Sequence, residues 1–327
     1  MIYFSLLIYA MFLFLLFFRA KVEQNDREEV YFQRFNCLRG AFALEIVIGH
    51  VIRFEHTLLY PLGKFMIISV AFFFFVSGWG LCRSYHQKEH YLDKFLVRKC
   101  PYLIVLSLLA FAVRIIVLLI TRNYDTNQNI VMYYFKSTNW YIWELLVFYI
   151  LFYLVYRFVP NYRCVIIALV TFGLMTAVFF FGFSQGYYSS GLAFPAGLFF
   201  YEYYPAITDF FKKIQGKITV FIMAVLGLSC LLLDADSLIG MVYLRNMMCL
   251  AAICIMVYFL TYFYIDNTFL RFLGKHSTEI YLYQFVYLNI VSMQNISCRI
   301  LLVCALTLVT AVLAHPVHSR IRTKFFS

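Results

Sequence analysis

Long apolar runs alternate with short connections along the whole chain, and the basic residues crowd into every second connection. Apolar runs cover residues 1–18, 37–58, 65–82, 101–120, 140–158, 164–183, 190–206, 218–233, 246–265, 278–296 and 299–315. Crossing about 30 Å of hydrocarbon takes about 20 helical residues, and most of these runs are close to that length. Inside a bilayer each backbone N–H and C=O must be satisfied within its own segment, so such runs fold as helices. The pattern predicts an all-α fold, a polytopic transmembrane helical bundle of about 11 spans. Composition agrees, since only 13% of residues are charged, against roughly 25% in a soluble domain.

The connections orient the bundle. Counting those at the run ends with the adjoining connection, one alternate set holds twenty Lys and Arg residues and the other six, and only Arg114 belongs to neither. Basic connections face the cytoplasm, which puts the N-terminus outside and the C-terminus inside. The net charge of +11 is therefore read as a topology signal, and no nucleic-acid partner is expected. The first run lacks the basic flank and small-residue cleavage site of a signal peptide. Residues 1–34 are accordingly expected to form an N-terminal transmembrane helix and a charged cytoplasmic loop, with a ten-helix membrane domain over 35–327. Pro195 and Gly197 are expected to break the run 190–206. None of the nine cysteines forms a C-x-x-C pair or a Cys/His cluster with metal spacing, so they are expected to pack as small hydrophobes, without a metal.

Ionisable residues inside such runs need a partner, a cavity or a task. The segment Phe35–Pro61 carries four: Arg39, Glu45, His50 and Arg53. Arg39 and His50 are eleven residues apart, which is three turns plus about 20°, so they leave one face of a helix roughly 16 Å apart. Helix packing, proton relay and general base are all open to His50. Glu45 points elsewhere, and Arg53 follows His50 by one turn. Further along, Ser77-Gly78 closes a four-phenylalanine run, and Lys94, Arg98 and Lys99 precede Pro101. Those cations fit either a topology signal or an anionic substrate. Trp140 and its neighbours suit an aromatic belt, which does not account for Glu144. In the run from Gly274 to Gln284, Ser277 or Thr278 is the expected N-cap, with Glu279 in the first turn.

Taken in order, these motifs resemble those of the acyltransferase-3 family of integral membrane O-acyltransferases, many of which decorate bacterial surface polysaccharides. The residues that carry the resemblance are Arg39 and His50 within LRGAFALEIVIGH, FFFFVSG at 72–78, the basic segment before Pro101, and STEIYLYQ at 277–284. Two positions depart from the family pattern. Only Arg98 of a paired-arginine motif is matched, and Gln284 stands where many relatives have His. The resemblance implies an enzyme of a bacterial plasma membrane that moves an acyl group, usually acetyl from acetyl-CoA, to a hydroxyl of a glycan or lipid-linked glycan. No cofactor is expected beyond that acyl-CoA donor substrate. His50 is then the expected base or transient acyl carrier, with Arg39 beside it in the catalytic pair. Arg98, Lys94 and Ser77 are expected at the donor, and Glu45, Arg53, Trp140, Glu144 and Tyr281 along the acceptor path or cavity. A transporter or flippase for a lipid-linked glycan or small solute is the competing expectation.

Overall fold

A computed structural model of the chain describes residues 10, 11, 14, 17, 18, 20–22, 28–52, 60–123, 129–137, 140–232, 237–265, 267–288, 290, 291, 293 and 295–325. Most of the expected leading span and Arg53 lie outside them. The first six α-helices are α1 (Glu28–Ile52), α2 (Tyr60–Gln87), α3 (Phe95–Ile120), α4 (Ile130–Ser137), α5 (Trp140–Phe158) and α6 (Arg163–Phe180). They are followed by α7 (Ala193–Lys212), α8 (Ile214–Leu232), α9 (Arg245–Tyr262), α10 (Thr268–Lys275), α11 (Ser277–Tyr287) and α12 (Ile296–Phe325). One two-residue antiparallel pair, β1 (Lys21–Val22) with β2 (Phe263–Tyr264), ties the segment before α1 to the end of α9.

Among the described residues, seven helices are long and apolar enough to cross a membrane, or eight if the bent pair α7–α8 counts as one span. The chain is an integral membrane protein built of helices. Three of the eleven expected spans take another form. Residues 190–206 and 218–233 fall in that pair, which bends by 98° at Lys213. In the run 278–296 the helix α11 ends at Tyr287; its 11 residues measure about 16 Å, too short to cross alone.

The break expected at Pro195 lies elsewhere. Pro195 occupies the first turn of α7, where its missing N–H costs nothing. The backbone leaves helical geometry at Tyr203 (φ −120°, ψ 16°), two residues before Pro205, whose ring disfavours a helical conformation in the residues ahead of it.

Residues 28–34, expected in an aqueous loop, are instead the first turns of α1. Glu28 accepts hydrogen bonds from Arg83 and, at 2.9 Å, from Gln87. Arg34 is fully buried. Its Nη1 donates to the Leu260 carbonyl, and its guanidinium lies over the rings of Tyr31 and Tyr264.

Two close crossings set the frame. At Gly78 an added Cβ would lie 2.2 Å from the Phe194 carbonyl oxygen, and at Gly197 one would lie 2.0 Å from that of Phe75. The two glycines thus let α2 and α7 meet backbone to backbone. Gly40 and Gly274 do the same for α1 and α10, with gaps of 2.4 Å to the Leu270 carbonyl oxygen and 2.0 Å to that of Asn36.

The basic connections gather on one face. Glu28 pairs with Arg83, Asp93 with Arg157, and Arg163 with the Tyr85 hydroxyl. Tyr262 donates to the Phe211 carbonyl at 3.0 Å. The ends of α1, α2, α5, α6, α7 and α9 that carry these contacts therefore lie together, as the alternation of Lys and Arg requires.

Candidate active site

A cavity of about 600 Å³ opens at that basic face. Each wall comes from a different helix. The crossing at Gly40 and Gly274 turns Arg39 of α1 and Lys275 of α10 into it. Arg98 and Lys99 enter from the first turns of α3, and Arg322 from the last turns of α12. These five Lys and Arg residues face a single wall carboxylate, Glu279. Such a concave, cation-rich space favours anions, because its low-dielectric walls focus the field.

Arg39 is fixed in place. Its Nη2 donates to Ser277 Oγ at 2.8 Å, so this hydroxyl does not cap α11. The cap position is His276, which makes no side-chain cap bond. Glu279 follows in the first turn as expected. Its Oε1 lies 3.0 Å from Nδ1 of His315 and 3.3 Å from Nδ1 of His318. The other nitrogen of His318 meets the Tyr283 hydroxyl at 3.1 Å. His315 lines the cavity beside Glu279, and a carboxylate bonded at Nδ1 selects the tautomer that leaves Nε2 as acceptor. Tyr91, in the α2–α3 connection, also lines the cavity; burial pushes its phenol up to about 12, so it remains a hydrogen-bond donor.

Of the expected site residues, Arg39, Ser77, Arg98 and Tyr281 line this one cavity. Lys94 does not. It is exposed at the N-cap of α3, beyond the rim, and Lys99, Lys275 and Arg322 supply the charge expected of it. His50 lies off the cavity wall, with its ring 5.1 Å from that of Phe285. Phe285 is 6.3 Å from Tyr281, and Tyr281 is 4.9 Å from Tyr141 in the cavity wall. A file of aromatic rings therefore joins His50 to the cavity. The shared face of Arg39 and His50 is visible in the packing too: from 34 to 52, only Asn36, Arg39, Phe42 and His50 escape full burial. Since Arg39 meets Ser277 and His50 meets Phe285, α1 and α11 run side by side in one direction.

Glu45, Trp140 and Glu144 lie outside the cavity wall. Glu45 is buried roughly 120° around α1 from Arg39, with the Ser69 hydroxyl as its neighbour. Trp140 packs on Gly186, where an added Cβ would come within 2.4 Å of the indole. Glu144 is buried one turn from Tyr141 against Gly191, and neither carboxylate oxygen has a hydrogen-bond partner among the described residues. Gln284, at the position of the family His, is buried and donates to the Tyr281 carbonyl at 3.0 Å. Sequence reasoning missed Lys275, His315 and Arg322 as members of the site. The first is one of the loop cations, the second closes the last apolar run and the third follows it, so only the fold brings them beside Arg39.

Residues 32–316 match the family described as "Acyltransferase domain". No curated relative and no solved structure matches the chain.

Proposed function

Because the chain belongs to this acyltransferase family, we propose that it transfers an acetyl group from acetyl-CoA to a hydroxyl of a cell-surface glycan or related acceptor. The observation that carries the donor is the cavity with five cations and one wall carboxylate. Phosphates of the CoA moiety would lie against Arg98, Lys99, Lys275 and Arg322, where guanidinium forks and ammonium groups favour them. Arg39, fixed by Ser277, would stand at the inner end. The slender thioester arm would then extend past Tyr141 and Tyr281 towards Phe285 and His50.

In the chemical step the acceptor oxygen attacks the thioester carbonyl, the C–S bond breaks, and the acceptor proton leaves with a base. His50 is the proposed base and would hand that proton to the departing thiolate, which closes the balance. His315, held by Glu279 at the cavity wall, is assigned to the donor. The basic face, with the cavity mouth, is assigned to the cytoplasm of a bacterial cell, where acetyl-CoA is found.

Membranes containing the protein, supplied with labelled acetyl-CoA, should pass label to glycan. His50→Ala and Arg39→Ala proteins that elute as folded monodisperse species should not. If the wild-type protein transfers no label from any acyl-CoA tested, acyl transfer is wrong for this chain and a transporter of lipid-linked glycan takes its place.

A further inference from the structure

At the edge of the basic face, away from the cavity, a second group of side chains converges. Cys82 and His86 are four residues apart near the end of α2, so they lie on one helix face one turn apart. Glu202 meets them from α7, one residue before the break at Tyr203. Glu202 Oε1 lies 3.2 Å from Cys82 Sγ and 3.2 Å from His86 Nε2. All three ligand atoms fall within 4.8 Å of one another. None of the three residues lines the cavity.

We propose that Cys82, His86 and Glu202 bind a divalent transition-metal ion of the zinc class, which clasps α2 to α7. Thiolate, imidazole and carboxylate are the three donor types that zinc takes, at about 2.3, 2.0 and 2.1 Å. A tetrahedral ion at those lengths needs its ligands about 3.3–3.6 Å apart, close to the two 3.2 Å separations. The remaining separation closes by a small movement of His86, whose side chain is 43% exposed. A fourth position faces the solvent on that side and takes water. Binding releases the Cys82 thiol proton to water as the metal–sulfur bond forms.

The surroundings support a built site. The Tyr156 hydroxyl donates to Glu202 Oε1 at 3.2 Å, and outer hydrogen bonds of this kind orient metal ligands. Cys82 is fully buried at the inner side, while Glu202 and His86 form the open side. The ion would close the same α2–α7 seam that Gly78 and Gly197 bring together, and would splint α7 where its helix breaks.

The test uses the full chain in detergent, stripped with chelator and titrated with Co²⁺. The wild-type protein should take up one Co²⁺ per chain and show the near-ultraviolet absorption of thiolate-to-cobalt charge transfer. Cys82→Ser should lose that absorption, and Cys164→Ser, whose sulfur lies nearby against Tyr156, should keep it. His86→Ala, a change at an exposed side chain, should weaken binding by more than about 100-fold, beyond the usual 10–100-fold loss from outer-shell changes. Zinc at a hundredfold excess over its Kd should raise the wild-type unfolding midpoint by about 4 °C and leave Cys82→Ser unmoved. The proposal is overturned if wild type shows no charge-transfer band, if the band survives Cys82→Ser, or if His86→Ala and Glu202→Gln both bind Co²⁺ as wild type does.

Discussion

Two histidines compete for the chemistry, and kinetics can separate them. His50 is proposed as the base, so His50→Gln should lower kcat by about 10²–10⁴-fold, the usual worth of a positioned base, with little change in donor KM. His315 lies in the wall of the proposed donor cavity, so His315→Gln should raise KM for acetyl-CoA and largely spare kcat. The opposite split would make the Glu279–His315 pair the base. Arg98→Ala tests the donor assignment alone. A charge-assisted hydrogen bond contributes about 1.5–3 kcal/mol, so donor KM should rise about tenfold or more, and an unchanged KM would remove Arg98 from the site. What could be read in advance at this scale follows from distance along the chain. Arg39 and His50 belong to one helix, and helical period alone predicts their common face. Glu279 and His315 are 36 residues apart, and Glu202 is 120 from Cys82. No periodicity relates residues on separate helices, so those clusters emerge only from packing. Lys94 and Arg98 show the converse: both are basic and close in sequence, yet only Arg98 lines the cavity.

The helices themselves were legible where their boundaries are set by hydrocarbon length, and less so where packing decides. α5 begins and ends where its apolar run does, whereas α1 starts nine residues before its run because buried Tyr31 and Arg34 extend it inward. Proline position misled at α7 since its consequence depends on the distance from the helix start, which the apolar run leaves undefined. Glycine had to be weighed by contact for the same reason. Gly78→Ala gains about 1 kcal/mol of helix propensity, but its Cβ would press on the Phe194 carbonyl at 2.2 Å. Backbone cannot rotate aside, and overpacking costs about 1–3 kcal/mol, so the clash wins. Gly78→Ala and Gly40→Ala should therefore each lower the thermal unfolding midpoint in detergent. Gly173→Ala in α6, with nothing within 4 Å of the added carbon, should leave it unchanged or raise it. If all three behave alike, close helix crossings are not what those two glycines provide.

For the whole molecule, the alternation of basic connections was the most informative property of the sequence, and it survives the shortening of α11 and the bending of α7–α8. The reason lies in parity. α11 runs alongside α1 in the same direction, and the chain returns through α12, so even a helix too short to cross keeps its two ends facing as a full span would. Arg322 near the end of α12 therefore shares the cavity with Arg39 in the middle of α1 and with Arg98 at the start of α3. The location of the C-terminus thus decides which compartment the cavity opens to. If the cavity takes acetyl-CoA, it must open to the cytoplasm. A green fluorescent protein fused after Ser327 should then fluoresce, and alkaline phosphatase fused there should be inactive. Phosphatase fused after Asn123, at the far end of α3, should be active. The reverse pattern would leave the helices as described but would put the five cations out of reach of cytoplasmic acyl-CoA, and the donor would have to be sought elsewhere in the protein.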